Sequence, residues 1–486
     1  MRLKRWRRLR LNFKDLRNVE KSLTGKSKMR IPKIIKTVST KLNDKGAKAI
    51  VVGGSVRDHF LALPIKDYDV EVYGLEKIEE LEELLGMYGS VNLVGKSFGV
   101  VKFSHEGEEY DFSFPRTEER VGVGHRGFDV SCDGFLSFKE AFTRRDFTIN
   151  AMGYDVEKEQ FIDPYDGMSD IGNRVLRHID DETFMEDALR VYRGVQFVAR
   201  FGFSLATTSV KLCAKMVEQG MLEELAQERV YEEFKKLLLK SPKPSMGFEL
   251  MRELGIIKKY YPELHALIGV PQSKIWHPEG DVWVHTLMAI DKMVGLKIGE
   301  EKHDLKMMFA VLCHDFGKAT HTQIKPDKIS AIGHEEAGVK PTEAFLYRLT
   351  NEHDFINAIL PLVRHHLAPS IYFRSGAKNA TIRRLSTKLN IEELVTVARA
   401  DFLGRTIEAS LSGVYEGGDW LLAKAKELDV YRQPPTPLIQ GRDLIELGHT
   451  PSKEFKEILK GVYEAQIRGE VSTKDEALFY LICVPK

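Results

Sequence analysis

The chain has 486 residues, 29% of them charged and 43% hydrophobic, with a formal net charge of +1. That length holds two to four domains, and the balanced charge excludes a globally basic nucleic-acid binder, so any RNA-facing surface has to be local. No apolar run reaches membrane-spanning length, and Cys132, Cys213, Cys313 and Cys483 lack CxxC spacing, which excludes a zinc ribbon and fits a reduced, cytoplasmic protein without a membrane partner.

Residues 1–30 crowd Arg2, Lys4, Arg5, Arg7, Arg8 and Arg10 together without the apolar core of a signal peptide, and read as a basic extension. A helix is predicted over residues 34–43. The apolar run 49–52 reads as a buried strand that stops at Gly53-Gly54, where the absence of side chains lets backbone N–H groups approach an anion as the chain turns into a helix. Arg57, in that turn, carries a planar fork suited to phosphate. After Pro64, residues 68–73 read as a second strand. Asp67 and Asp69 are two apart, so at strand spacing both carboxylates point to one face. Paired hard oxygen ligands beside a phosphate cradle suit Mg²⁺ ions, which in two-metal sites sit roughly 3.5–4 Å apart. Each signal alone is common in turns and loops. In strand–glycine–helix–strand order they point to nucleotidyl transfer.

A charged helix over 76–87 and a strand pair, 100–103 and 109–112 around Gly107, come next, with Asp111 either a third metal-side carboxylate or a solvated strand residue. Residues 116–144 are polar and glycine-rich and are predicted to form a long functional or mobile loop. Arg144-Arg145-Asp146 is either a charged loop or a set with one Arg on a triphosphate and Asp146 accepting from a ribose hydroxyl. A strand at 161–162 ends in a turn. The helical pattern of 186–201 stops at Gly202 and puts Asp187, Arg190 and Arg193 on one face. An Asp/Arg pair there could accept the amine-and-ring-nitrogen edge of cytosine or adenine and reject uracil and guanine; a surface ion pair is the alternative. Short helices are predicted over 205–265, a histidine-rich helical block over 275–410, and a closing helical segment over 439–481 after the proline-rich 433–437.

The strings GGSVRD, KDYD, RRDFTINAM, IDPYDGMSDIGNRVLRHI, EDALRVYR and RVYEEFKKLLL, in this order over about residues 48–260, resemble class II tRNA nucleotidyltransferases, the CCA-adding enzymes and their poly(A) polymerase relatives. The resemblance implies an α+β chain with a small mixed-sheet nucleotidyltransferase head (31–180) and a helical neck and body that selects the base and binds RNA (181–270); the histidine-rich pattern beyond it is read as a further all-α domain (271–415), followed by a C-terminal helical segment (416–486). It implies Mg²⁺ on Asp67 and Asp69, the incoming CTP or ATP on Gly54, Arg57, Arg145, Arg190 and Arg193, base selection by Asp187 with Arg190, and tRNA as substrate. The loop at 116–144 is similar to the one that full CCA-adding members keep, which favours C and A addition over A-adding, CC-adding or poly(A) variants.

The set His285, His314-Asp315 and Asp401, with CHDFGKA and GHEEAG, resembles the HD phosphohydrolase signature. It implies those four residues as ligands of one divalent transition metal, Ni²⁺ or Mn²⁺ among the candidates, and phosphatase or 2′,3′-cyclic phosphodiesterase activity. The imidazole and carboxylate chemistry suits such an ion. His334, His365 and His366 read as ordinary surface histidines, with binding of phosphate or a second metal as the alternative. The alternative of a different class is an HD phosphohydrolase whose head is only an RNA-binding module.

Overall fold

The structure, a computed structural model, describes residues 28–94, 99–120 and 128–483. The basic stretch 1–27 and the glycine-rich 121–127 lie outside the described residues. Contacts divide the described chain into two units, one running to Leu237 and taking in Glu249–Ile256, the other made of Leu238–Phe248 and the chain from Ile257 onward.

The first unit is built on a seven-stranded mixed sheet in the order β3-β4-β5-β2-β1-β8-β9. The strands are β1 (Lys48–Val52), β2 (Asp69–Tyr73), β3 (Ser90–Val94), β4 (Val100–His105), β5 (Glu108–Ser113), β8 (Gly153–Asp155) and β9 (Gln160–Ile162). β1 lies between β2 and β8, and four of its five residues are buried, as its unbroken Ala-Ile-Val-Val run requires of an inner strand. Helix α1 (Lys33–Asp44) buries Ile34, Ile35, Val38 and Leu42 and packs on β1. Ile50, Val52 and Tyr73 share a core with Phe142 of α4 (Phe138–Thr143), whose start is fixed by a capping box between Ser137 and Glu140.

Register places the chemistry at one end of this sheet. Val52 pairs with Asp69 on β2 and with Gly153 on β8, and Asp69 pairs in parallel with Asp111 on β5. Beyond Val52 the chain turns at Gly53 (φ 72°) into the short helix α2 (Gly54–Phe60).

Five sequence expectations are corrected here. Asp67 precedes β2 rather than sharing a strand with Asp69, because the polar run after Pro64 stays irregular until Asp69 finds partners on both sides. The expected loop 116–144 contains a hairpin, β6 (Arg116–Arg120) with β7 (Phe128–Cys132), and then α4; backbone pairing from Arg116–Cys132 to Arg120–Phe128 orders it despite its polar composition. The helix expected to start at residue 186 is broken: α5 (Asp181–Glu186) ends, Asp187 takes an extended conformation, and α6 (Leu189–Phe201) begins afresh. Strands β3 and β8 were not expected at all. Helices α7 (Thr207–Glu218), α8 (Gln227–Lys240) and α9 (Pro244–Glu253) follow, the middle one of 14 residues rather than short.

In the second unit, α10 (Val282–Val294), α11 (Glu301–Cys313), α12 (His353–His365) and α13 (Ile391–Gly404) pack together, with α11 buried over nearly its whole length. Gly404 allows α13 to approach α10 closely, since a Cβ there would sit 2.8 Å from the Ala289 backbone. The closing segment is three helices, Gly441–Glu446, Glu454–Arg468 and Lys474–Cys483, around a small core of Leu444, Val462 and Ala477.

Gly53 and Gly46 both have positive φ, but a Cβ on Gly53 would lie 2.7 Å from Arg145 Nη1 whereas one on Gly46 meets nothing. Gly46→Ala should therefore cost about 1–2 kcal/mol of backbone strain. Gly53→Ala should cost measurably more in urea unfolding; equal losses would show that the Arg145 contact has no structural weight.

Candidate active sites

At the end of the sheet, Asp69 is accessible yet crowded. Its carboxyl is held above the usual carboxylate range, first by partial loss of solvent and then by Asp111, Asp67 and Glu71, with Arg145 opposing. Converging carboxylates with an excess of negative charge form a hard oxygen donor set that fits a divalent cation.

Glu71, two residues along β2 from Asp69, is 1% exposed. Its Oε1 accepts from Arg145 Nη2 at 2.8 Å and Arg144 Nη2 at 3.2 Å, and its Oε2 accepts from the Tyr73 hydroxyl at 2.9 Å. This pairing sets Arg145 against Gly53, with the guanidinium over the Phe142 ring.

Asp146 is buried, and its oxygens are occupied from within. Oδ1 accepts from the Phe147 amide and Asn150 Nδ2, each at 2.8 Å; Oδ2 accepts from Arg193 Nε at 2.7 Å. Burial works against ionisation, but Arg193, Asn150 and Arg190 together hold the Asp146 carboxyl below its ordinary range. Asn150 Oδ1 accepts in turn from Arg57 Nη1 at 2.7 Å, and Arg57 stacks over Phe197 and Phe201. Gly54 begins α2 beside the Arg57 guanidinium.

Arg190 and Arg193 share α6, but Asp187 does not join them. Arg190 donates to the carbonyls of Thr183 and Arg144, while Asp187 accepts from the Leu189 amide at 3.1 Å and Arg229 Nη2 at 2.9 Å. Sequence reasoning missed Glu71, Asn150 and Arg229. Glu71 alone left a signal, a charged residue in register with Asp69 on an otherwise apolar strand.

The second unit brings its four expected residues together. His285 Nε2 lies 3.0 Å from Asp401 Oδ1 and 3.8 Å from Asp315 Oδ2, and His314 Nε2 lies 3.2 Å from Asp315 Oδ2. All four are buried. Two further histidines complete the cluster and correct the reading of them as surface residues: His334 and His366 are 5% and 1% exposed, with Nε2 atoms 3.3 and 3.8 Å from Asp315 Oδ1. His365 stands apart, half-buried next to His366 on the helix end.

The imidazoles are oriented alike. Nδ1 donates to Val311 O from His314, Ala331 O from His334, Val363 O from His366 and Glu279 Oε1 from His285, at 2.6–2.9 Å. That fixes the tautomer and aims every Nε2 lone pair inward, the arrangement of metal-ligating histidines. His314 Nε2 and both Asp315 oxygens make no well-aligned hydrogen bond although buried, which fits a cation between them. The ligand atoms fall into three overlapping groups, His277–Glu279–His285, His285–His314–Asp315 and Asp315–His334–His366, each able to hold one ion, and the last two are the fully buried ones. Lys318 and Arg405 lie 2.7 and 2.8 Å from Asp315 and Asp401. Against burial, His314 with Lys318 keeps Asp315 ionised, and Arg405 with His285 does so for Asp401, both far below the usual range. Burial and the neighbouring His314 and His334 push His366 down to about 3.

Comparison with known proteins matches three successive parts of the chain. Residues 49–177 match the poly A polymerase head domain, 202–268 a probable RNA and SrmB-binding site of polymerase A, and 282–405 the HD domain. The chain is similar to the multifunctional CCA protein of Mannheimia succiniciproducens, with 37% identity covering 73% of this chain and 84% of that one. The counterpart from Pseudoalteromonas atlantica is 35% identical over 73% of this chain and 85% of its own. In fold, it resembles the Bacillus stearothermophilus CCA-adding enzyme in complex with CTP, with TM-score 0.64 and 22% identity over 92% and 95% of the two chains. It also resembles the Thermotoga maritima CCA-adding enzyme complexed with tRNA, with TM-score 0.58 and 20% identity over 96% and 98%.

The Asp146–Arg193 pair yields a test of sign. Arg193→Leu leaves a buried carboxylate without its counter-charge and should cost about 3 kcal/mol near neutral pH. With Arg193 present, the stability that Asp146 contributes is held above its unfolded value and lost as pH falls through the lower folded one. Without Arg193, burial raises the folded value, so the deficit of the variant should shrink between pH 7 and about 4. Urea unfolding at both pH values would measure it; a deficit independent of pH would contradict the pairing.

Proposed function

The chain belongs to the multifunctional CCA protein family, and on that premise we propose that it builds and repairs the 3′ end of tRNA in the cytoplasm. The head adds C, C and A from CTP and ATP to the tRNA 3′-hydroxyl without a nucleic-acid template and releases pyrophosphate. The observation that carries this reading is the single sheet end where Gly53, Asp69 and Asp111 meet the Glu71-anchored Arg145. The relatives of higher identity are multifunctional CCA proteins, which places the A-adding, CC-adding and poly(A) readings below this one. Among the described residues no helix is long and apolar enough to cross a membrane.

Asp67 and Asp69 hold Mg²⁺, with Asp111 beside them. When bound, the ion supplies a lowered pKa for the attacking hydroxyl and charge for the departing pyrophosphate oxygens. Gly54 leaves room for the incoming nucleotide, and Arg57 and Arg145 offer it positive charge. Asp146 acts through others, holding Arg193 and Asn150, and through Asn150 the Arg57 fork. Asp187 and Arg190 read the base: the carboxylate accepts the exocyclic amine of C or A, the guanidinium donates to the ring nitrogen, and U or G leaves both unpaired. Arg229 aims the Asp187 carboxylate.

The HD domain hydrolyses phosphate esters. His285, His314, Asp315 and Asp401 hold a divalent transition metal, Ni²⁺ or Mn²⁺, and the second oxygen of Asp315 with His334 and His366 offers a second position. A divalent ion held there would supply Lewis acidity for attack by water near neutral pH. The water oxygen forms a new bond to phosphorus as the P–O bond to the ribose oxygen breaks, and the proton that the water gives up goes to the departing ribose oxygen. Glu279 keeps His285 turned toward the cluster.

The two activities should separate cleanly. Asp69→Asn should reduce nucleotide incorporation into tRNA on the order of a thousandfold while leaving hydrolysis of 2′,3′-cyclic nucleotides intact, and His314→Asn should do the reverse. Incorporation that survives Asp69→Asn would refute the head assignment, and a folded variant that loses both activities would refute their separation.

A further inference from the structure

Asp69 and Glu71 stand two apart on β2, so both side chains leave one face of the sheet, and Arg145 is placed where either could take its charge. Its Nη2 donates to Glu71 Oε1 at 2.8 Å, while Nη1 rests 2.7 Å from the point where a Cβ on Gly53 would be. Gly53 follows Val52, the partner of Asp69 across the sheet. Beyond its loss of solvent, the Asp69 carboxyl feels Arg145 on one side and Asp111, Asp67 and Glu71 on the other. The guanidinium thus bonds one acid while standing within electrostatic reach of another.

An inner strand has no packing need for this arrangement, since replacing a buried ion pair by apolar side chains of similar volume is commonly neutral or stabilising. What the pair does is decide where a cation rests. Glu71 Oε2 is pinned by the Tyr73 hydroxyl at 2.9 Å, and Arg144 Nη2 joins Arg145 on Oε1 at 3.2 Å, so the acceptor is fixed in place. Arg145 Nε is buried and makes no hydrogen bond, so the contact with Glu71 is single where the planar fork could make two. A carboxylate that takes both bonds holds such a fork more strongly. Freed from Glu71, Arg145 would find that match at Asp69, and a guanidinium there would occupy the oxygens that a divalent cation needs.

We propose that Glu71 is a positioning residue for metal loading in the head: it draws Arg145 away from Asp69 and so keeps the metal-side carboxylates open to a divalent cation. This rests on the reading of Asp67 and Asp69 as the Mg²⁺ site and adds the device that stops the neighbouring arginine from taking the ion's place. The same hold leaves Nη1 at the glycine turn, where its charge serves a phosphate without competing with the metal. Loss of Glu71 therefore raises the Mg²⁺ concentration at half-maximal incorporation, whereas saturating Mg²⁺ displaces the guanidinium and recovers most of kcat.

The test titrates full-length protein with Mn²⁺ alone, reads the free ion by electron paramagnetic resonance, and subtracts the Asp69→Asn isotherm so that only Asp69-dependent binding is compared. Glu71→Gln, which keeps the shape and an acceptor oxygen, should weaken this binding at least about fivefold. Arg145→Met should strengthen it in that background by a much larger factor than in the wild type, because only a released Arg145 competes with the ion. Arg145→Met and the double variant should agree within about twofold. That pair decides the matter even where Glu71→Gln alone fails to fold, since the double variant leaves one cation fewer without a counter-charge. Equal factors for Arg145→Met in both backgrounds, or an effect of Glu71 that persists without Arg145, would make Glu71 a bystander charge and overturn the proposal. In incorporation assays, a kcat loss that saturating Mg²⁺ does not recover contradicts it as well. Wild type and Asp69→Asn binding Mn²⁺ alike would instead remove the Mg²⁺ reading of the head, and the proposal with it.

Discussion

Glu71 is a carboxylate on an inner strand, 1% exposed, and everything at that end of the sheet follows from how its charge is answered. A desolvated carboxylate is costly unless well-directed donors meet it. Two arginines and the Tyr73 hydroxyl do so, and the arginines come from the Arg144–Arg145–Asp146 segment, more than seventy residues away in sequence. Answering Glu71 therefore fixes where Arg145 lies, against a glycine whose missing side chain makes the space. The next residue, Asp146, repeats the arrangement inward with Arg193 and Asn150. A substrate anion would meet cations already held in place, so little ordering remains for the moment of binding.

The second unit obeys the same constraint with different donors. Asp315 has both oxygens buried and is surrounded by imidazole nitrogens whose opposite sides are tied to backbone carbonyls or Glu279. Lys318 and Arg405 add fixed positive charge at the edge. In the head, two guanidinium groups and the Tyr73 hydroxyl together satisfy the buried acid. Here the lone pairs stay directed at one another across a space that suits a cation, and that difference separates a phosphate-binding frame from a metal-binding one.

What was legible in the sequence was local. The turn at Gly53-Gly54, the strands on either side and the HD dipeptide are written in short-range pattern and were found where expected. The break at Asp187 was not legible, because EDALRVYR contains no Gly or Pro to interrupt a helix; the interruption depends on Arg229, 42 residues away, and on the Asp187 carboxylate capping Leu189. His334 and His366 sit in polar strings that look like surface, and only the packing of separate helices around Asp315 buries them. Glu71 was visible as a charge among valines, but its partners could not be read from spacing. The hairpin at 116–132 rests on backbone pairing, which composition does not reveal.

The most direct measurement supplies purified protein and Mg²⁺ with three tRNA transcripts, ending at the discriminator base, after one C, and after CC, each given CTP, ATP or both, and sequences the product ends. Completion to CCA on all three, with no U or G incorporated when UTP and GTP are added, is the predicted result. Growth only from the CC end with ATP, or no growth from any end, would contradict it.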